Sequence, residues 1–432
     1  AASDVYKRHD MFGMFLILYS IVGVITLLIG TGFYFNVDVL FDRAMTLEDL
    51  SKVRTMMLLM TVNLAFTFPM SVFGSIIVAY EDFVFQKLVN ITRIILNPLV
   101  MIAMLMLGYR AIGMTVITTL FNVVTLLVNC WYCFHKIHIR IYFGHFKWGF
   151  LKEVSIYSFW IFLNAIMDRI YWSSGQFILG MYKGAVAVAV YAVAIQLQGI
   201  YMSFSTAISG VFLPKVTAMV AKENNEKAIS DLFIRMGRIQ YAIMAFILTG
   251  FILFGKVFIY FWAGSDYDEA YYIALLFFIP LTIPLIQNLG IIILQARNQM
   301  RFRCVLYVVI AFVSLGISIP LARLYGGIGC ALGTVFALVV GQIIAMNIYY
   351  HRRIHIDIVR FWKEIFRMSL VPILLGGVGY CFLNMITLTN AWELGLAILL
   401  FSLIYVPLFW YMGLNGYEQS LFREPLKRLL KI

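Results

Sequence analysis

The chain has 432 residues, of which 62% are hydrophobic and only 12% charged, and its formal net charge at pH 7 is +12. A soluble domain carries about 25% charged residues, so this composition excludes an ordinary soluble protein. Apolar stretches of about 18 residues or more, the length that crosses a bilayer as a helix, recur throughout the sequence. The composition therefore predicts an all-α polytopic membrane protein.

The first third of the chain contains four predicted spans. They are residues 11–35, 55–79, 84–108 and 112–134. Arg93 lies about ten residues inside the third span, with Asn90 and Asn97 beside it at helical spacing. An arginine at this depth is costly and rarely faces lipid, so Arg93 and Asn97 are candidates for a cavity site.

The middle of the chain contains six predicted spans. They are residues 153–181, 185–213, 237–262, 270–295, 304–322 and 328–350. Two opposite charges, Asp168 and Arg169, stand near the centre of the first of these. Such charges usually face the interior of a helical bundle and often serve function, although they also tie helices together as ion pairs. Both interpretations of this pair are kept open.

Helical spacing sorts the polar residues around this pair into two neighbouring stripes. One contains Asn164, Asp168 and Tyr171, and the other contains Arg169 and Gln176. The helix is therefore expected to turn a wide polar face towards a cavity or towards partner helices. All five residues are candidates for substrate binding, and Asp168 is also the candidate for binding a coupling ion.

Two further spans, residues 368–388 and 394–414, end the membrane part of the chain. The segment 417–430 after them is basic and amphipathic, with Pro425 within it. This pattern predicts a short helix that lies on the inner membrane surface.

The distribution of basic residues predicts the orientation. If the loops alternate between two faces, one face holds 24 of the 33 Lys and Arg residues and the other holds 6. Because positive residues collect on the cytoplasmic side, both termini are predicted to be cytoplasmic. The positive charge is spread over many loops, which argues against binding of nucleic acid.

The loops offer little for catalysis. All six histidines fall on the predicted cytoplasmic face, and His135 and His138 lack partners at metal-ligand spacing. No loop is long enough to form a catalytic domain, and the sequence has no phosphate-binding loop. We therefore expect no catalytic residues, no metal and no cofactor.

Two parts of the chain resemble each other at a constant offset of 216 residues. "LGYRAIGMTVITTL" (107–120) matches "RLYGGIGCALGTVF" (323–336), and the same offset places Gly74 on Gly290. Repeated bundles of this kind are common in transporters, where two similar halves rock about a site between them. The repeat predicts a four-helix N-terminal lobe over 1–150, a six-helix C-terminal lobe over 151–353, and two extra helices with the tail over 354–432.

The repeat also predicts helices upstream of the sequence. The second copy opens with two helices that have no counterpart in the first copy. The offset would place the first of the missing helices roughly 65 residues before residue 1. Fourteen helices are therefore expected in the native chain, with the first two outside this sequence.

Two segments resemble bacterial polysaccharide flippases of the multidrug/oligosaccharidyl-lipid/polysaccharide exporter superfamily. They are residues 71–117 and the stretch "MYKGAVAVAVYAVAIQLQGI" (181–200) with "FLPKV" (212–216) after it. The resemblance implies two pseudo-symmetric bundles around a central cavity in the bacterial cytoplasmic membrane. It also implies alternating access and a substrate that is an oligosaccharide linked to undecaprenyl diphosphate, for surface polysaccharide biosynthesis. Membrane lipids, a glycan polymerase and assembly proteins are the implied partners.

Arginine suits a diphosphate because its planar fork of donors stays charged. Arg93 and Arg169 are thus expected to share a cavity and to bind the diphosphate. A cation-coupled multidrug exporter of the same superfamily is the first alternative, since Asp168 would also suit proton coupling. A membrane glycan polymerase or glycosyltransferase is the second alternative, which the short outer loops disfavour.

The charge distribution gives a testable topology. Reporter fusions at residues 145, 225 and 300 should report a cytoplasmic position, and fusions at 45 and 266 an external one, because the basic loops stay inside. Paired alkaline phosphatase and fluorescent protein fusions measure this. An external signal at 225 would break the alternating scheme.

Overall fold

The structure is a computed structural model, which describes residues 2–41, 46–80, 82–139, 141, 148–222, 226–297, 299–383, 388–420 and 423. Fourteen α-helices cover most of these residues. They are α1 (Ala2–Phe35), α2 (Val37–Phe41), α3 (Leu47–Ala79), α4 (Phe83–Met106), α5 (Ala111–His135), α6 (Trp148–Tyr182), α7 (Ala185–Lys222), α8 (Glu226–Ala263), α9 (Asp268–Ile286), α10 (Asn288–Ala296), α11 (Arg301–Leu338), α12 (Met346–Arg352), α13 (Ile358–Leu383) and α14 (Ala391–Met412).

The prediction of an all-helical polytopic membrane protein is confirmed. Within the described residues, ten stretches are long and apolar enough to cross a membrane. One of them, Arg301–Arg352, combines two predicted spans, and Gly326 (φ 61°, ψ −133°) breaks the helix between them. The ten do not include α6, because many of its side chains lie outside the described residues. When Arg301–Arg352 is counted as two spans and α6 is added, the ten stretches become the twelve spans expected from the sequence.

Local chemistry fixes several helix ends. Thr46 caps α3 by accepting a hydrogen bond from the backbone N–H of Asp49 at 3.2 Å. Asn390 and Glu393 form a reciprocal capping box at the start of α14. Such caps satisfy backbone donors that a helix otherwise leaves unpaired, and each contributes roughly 0.5–2 kcal/mol.

The chain divides into two compact units, Ala1–Tyr157 and Ser158–Ile432, with the boundary inside α6. In the first unit, α1 and α5 both pack against α3. The approach of α1 to α3 is close at Gly30, where a Cβ atom would lie 2.1 Å from the Thr61 side chain. Across the other interface, the Asn122 amide of α5 donates to Asn63 at 2.9 Å and to Thr67 at 2.8 Å.

In the second unit, α7 packs across α8, α9 and α10 around the largest apolar core of the described residues. The polypeptide leaves helical geometry at Gln287, between α9 and α10. Buried side chains take up the polar groups near this break. The Ser205 hydroxyl donates to the Leu285 carbonyl at 2.8 Å, and the Gln287 amide donates to Asn347 at 2.9 Å.

The last two helices and the segment after them belong to the second unit, where α13 and α14 pack against α8. The assignment of 354–432 to a separate domain stays a prediction. Of the predicted surface helix 417–430, residues 421, 422 and 424–430 lie outside the described residues. The proposed interruption at Pro425 falls among them.

Arg238, a buried arginine of α8, binds the segment that follows α14. Arg238 donates to both oxygens of Glu418 at 2.6 and 2.9 Å, to Glu364 at 2.6 Å and to the Gly413 carbonyl at 3.2 Å. Its side chain is 6% exposed and that of Glu418 is fully buried. A bidentate geometry with all charges paired offsets the cost of desolvating these groups.

This group predicts a clear asymmetry between single and double substitutions. Glu418→Gln should destabilise the second unit by about 3–5 kcal/mol, because it leaves a buried guanidinium without its main counter-ion. Replacing both partners, with Arg238→Met and Glu418→Leu, should cost less, since no buried charge remains unpaired. Thermal unfolding of the purified full chain, followed by tryptophan fluorescence, measures both.

The exposed pair Lys52–Glu48 provides the control for this experiment. Its charged atoms are 2.6 Å apart on the surface of α3. Glu48→Gln should change stability by less than about 1 kcal/mol, because exposed ion pairs contribute little. An equal effect of Glu418→Gln and Glu48→Gln would contradict the anchoring role of Arg238.

Candidate functional site

A polar cavity of about 300 Å³ lies within the first unit, lined by residues of α3, α4 and α5. The residues that line it carry mainly amide, hydroxyl and small apolar groups. Its polar lining comprises Ser71 and Ser75 from α3, Gln86, Asn90 and Arg93 from α4, and Asn122, Thr125 and Asn129 from α5. The structure thus places the predicted site residue Arg93 at a cavity.

Arg93 brings a positive charge to this cavity that its described lining does not neutralise. No Asp or Glu is among the residues that line it. None of the ion pairs formed by described residues involves Arg93. The guanidinium, half-buried within an apolar protein, therefore keeps donors for an occupant of the cavity.

Two amide oxygens near Arg93 are buried without a hydrogen-bond partner among the described residues. One belongs to Asn129, which is 9% exposed and lines the cavity. The other belongs to Asn97, one helical turn beyond Arg93 on α4. A buried polar atom without a partner costs about 1–3 kcal/mol, so such atoms often mark a site that a ligand completes.

The second unit contains the other predicted site residues, all on α6. Asp168 and Arg169 are exposed, and Gln176 is half-buried. The side chain of Asn164 lies outside the described residues. The two charged side chains of the expected polar stripes are therefore exposed in the folded protein.

The side chain of Tyr171 is buried, unlike that of Asp168. It is 2% exposed, lies in the core of the second unit and donates a hydrogen bond to the Thr334 carbonyl at 2.6 Å. Its ring also packs edge to face against Trp172, with ring centroids 4.8 Å apart. Because its hydroxyl is satisfied by backbone, Tyr171 packs α6 against α11 here and does not share the exposure of Asp168.

Arg303 was not among the predicted site residues, because it lies just before the predicted span 304–322. The positive charge of Arg303 acts more strongly on the Asp168 carboxylate than that of Arg169 does, and the Trp172 side chain also acts on it. Neither arginine forms an ion pair with Asp168 among those of the described residues. The only signal in the sequence was the spacing of Arg303 and Tyr307, which lie one helical turn apart. Spacing alone did not show that α11 faces α6.

Tyr307 holds Arg303 in place. The Arg303 guanidinium lies 4.5 Å from the centre of the Tyr307 ring and donates to the Tyr307 hydroxyl at 3.2 Å. Gln342 donates to the same hydroxyl at 2.7 Å. A cation over an aromatic face gains up to about 2 kcal/mol when desolvated. The group of Asp168, Arg169 and Arg303 carries two positive charges and one negative charge, so it favours an anion.

The two arginines predicted to share one cavity, Arg93 and Arg169, belong to different units. Arg93 lies in the first unit and Arg169 in the second. Their joint action on one ligand stays a prediction.

Comparisons with known proteins agree with the fold. A solved structure described as "Lipid II flippase MurJ, inward closed conformation" is similar to this chain, with a TM-score of 0.69 and 17% sequence identity. The match covers 94% of this chain and 89% of that one. This likeness shows a common fold. Comparison of the sequence with curated proteins gives no match.

A family model described as "Polysaccharide biosynthesis protein" matches residues 52–272, which is just over half of the chain. The matched region includes the polar cavity around Arg93 and the charged pair on α6. The segments that resembled polysaccharide flippases lie within the same region. The chain is therefore a multi-pass membrane protein that belongs to the polysaccharide biosynthesis protein family.

Proposed function

We propose that this protein is a flippase that carries an oligosaccharide linked to undecaprenyl diphosphate across the bacterial cytoplasmic membrane by alternating access. The observation that carries the proposal is the group of Arg169, Arg303 and Asp168 in the second unit, whose net charge is positive. In this proposal the two guanidinium groups bind the diphosphate, and Asp168 orients them.

The physical problem for such a substrate is the transfer of its charged diphosphate through a slab of low dielectric. An ion without partners there costs many kcal/mol, and fixed opposite charges reduce that cost. Arginine is suited to the task because each guanidinium donates two parallel hydrogen bonds and is less strongly hydrated than an ammonium group. The polyprenyl chain can meanwhile stay in the lipid.

The comparisons support this proposal at a coarser level. The family description names polysaccharide biosynthesis, and the similar solved structure is that of a lipid II flippase. Both favour a transporter of a lipid-linked substrate over the two alternatives. Partners that make or polymerise the glycan, and cytoplasmic termini, belong to the proposal as well.

A cation-coupled drug exporter is the main alternative, and Asp168 is the residue that would favour it. A lone acid within a membrane helix is a common carrier of protons. Here, however, the positive charges of Arg303 and Arg169 both act on the carboxylate. That environment suits an acid that positions the arginines. A membrane polymerase or glycosyltransferase would need acids or histidines placed for catalysis, and the charged group on α6 contains one acid only.

The proposal predicts that both arginines are needed for export. Arg169→Ala and Arg303→Ala should each lower surface polysaccharide by at least about tenfold, since hydrogen bonds to charged groups contribute roughly 1.5–3 kcal/mol. Arg169→Lys should rescue only in part, because lysine keeps the charge and loses the fork. The assay is surface glycan in a flippase-deficient strain complemented with each variant, normalised to the amount of protein.

Arg110→Ala is the matched control for these substitutions. Arg110 is an exposed arginine just before α5 and is predicted to anchor the outer end of that helix. Export by this variant should stay near the wild-type level. Normal export by Arg169→Ala and Arg303→Ala at normal abundance would remove the phosphate-binding role from both residues.

Asp168→Asn separates orientation of the arginines from proton coupling. Asparagine keeps the size and part of the hydrogen bonding of aspartate, so a positioning role should survive in part, with a reduced rate. Transport in proteoliposomes under an imposed pH gradient measures this. We expect the variant to respond to the gradient as the wild type does, and a complete loss of that response would instead assign the coupling proton to Asp168.

A further inference from the structure

The polar cavity of the first unit contains hydrogen-bonding groups that have no role in the function proposed above. Its amides, hydroxyls and single arginine lie in an otherwise apolar bundle. Among its polar side chains Asn129 is buried, two are exposed and the others are half-buried. A buried polar group is costly unless it finds a partner. Asn122 finds partners in Asn63 and Thr67, whereas the Asn129 oxygen has none among the described residues.

The internal repeat shows that helix packing does not require these groups. The offset of 216 residues assigns an equivalent in the second copy to each cavity position, and most of the polar residues become apolar there, whereas Ser71 falls on the polar Gln287. Examples are Asn90 and Leu306, Arg93 and Val309, and Asn129 and Ala345. The two copies thus share a sequence pattern, while the arginine and most of the other polar groups occur only in the first.

Gly74 and Gly290, which the repeat aligns with each other, also differ in the space around them. A Cβ atom at Gly290 would lie 2.5 Å from the Tyr350 ring, so the second copy is filled at this point. At Gly74, which lines the cavity, a Cβ atom would meet only the Asn129 amide, at 3.7 Å. The first unit leaves open the space that the second unit fills.

The free groups define the chemistry of the occupant. The Asn129 oxygen is an acceptor and needs a donor, which an ionised diphosphate does not possess. Arg93 and the amide nitrogens are donors and need acceptors. A sugar ring supplies both, because every hydroxyl donates and accepts. The cavity of about 300 Å³ lies at the lower end of the range for ligand pockets, which is room for a small cyclic group.

We propose that this cavity binds a sugar of the lipid-linked saccharide and so distinguishes glycosylated from bare carrier lipid. The inference rests on the proposed flippase function and adds a site for the glycan to the site for the diphosphate. Arg93 lies about 15 Å along α4 from its Phe83 end, at 1.5 Å per residue. That end is cytoplasmic in the predicted topology, which is the side on which a saccharide awaiting export would be loaded.

The test compares two lipids on the purified full chain in nanodiscs. The probes are undecaprenyl diphosphate and undecaprenyl-diphosphate-N-acetylglucosamine, and the readout is the dissociation constant of each. The wild type should bind the glycosylated lipid about tenfold more tightly, which corresponds to one or two net hydrogen bonds. Asn129→Leu and Arg93→Gln should reduce this preference to about twofold or less, and the affinity of Asn129→Leu for the bare lipid should stay within about twofold of wild type.

A second variant fills the cavity. Gly74→Leu places a side chain where the structure shows space, so the variant should fold and should lose the preference for the glycosylated lipid. Asn36→Leu, at an exposed amide beyond the outer end of α1, is the control and should keep the preference. Gel filtration and the thermal midpoint check that each variant is folded, and Gly74→Ala replaces Gly74→Leu if the latter is not.

The outcomes separate this inference from the proposed function. Equal affinity of the wild type for both lipids, or an unchanged preference in folded Asn129→Leu and Arg93→Gln, overturns the sugar site and leaves the flippase proposal standing. If Arg93→Gln lowers the affinity for both lipids equally, Arg93 binds the diphosphate, and this result also overturns the sugar site. Failure of the wild type to bind either lipid overturns the flippase proposal and this site together.

Discussion

A polar group that this chain carries into the bilayer must find a partner in the protein or in a bound ligand, because hydrocarbon offers none. The helices satisfy the backbone, and many hydroxyls bond back to the carbonyl four residues earlier, as Ser20 does with Leu16 at 2.7 Å. Where α9 gives way to α10, buried side chains supply the partners instead. The break near Gln287 is tolerated because Ser205 and Asn347 satisfy polar groups there.

The same constraint distinguishes structural from functional charges. Arg238 donates to two carboxylates and one backbone carbonyl, so its charge is neutralised within the protein. Arg93 sits at a cavity whose described lining contains no acid, and Arg303 is held by an aromatic ring beside an exposed acid. A group with all partners in place stabilises the fold, whereas a group with donors left over can bind a ligand.

The two units share a repeat and use it for different chemistry. The second unit is filled by aromatic and aliphatic side chains around α9 and presents its charges on α6. The first unit keeps a polar cavity between α3, α4 and α5. A repeated bundle supplies two similar scaffolds, and substitution of a few inward positions gives each its own ligand groups. In our two proposals, recognition of a lipid-linked saccharide is divided between an anion site in the second unit and a sugar site in the first.

The sequence by itself determined the class of protein, the approximate spans and the depth of the unusual charges. Apolar length and helical spacing are local properties, and they are sufficient to mark Arg93, Asp168 and Arg169 as costly. Only the tertiary structure decided where those side chains meet others. Tyr171 shares a predicted stripe with Asp168 but turns into the core, and the charge of Arg303 acts on Asp168 from a helix more than a hundred residues away. The physical reason is that the direction of a helix face depends on how distant helices pack against it, and the sequence of one helix does not specify that.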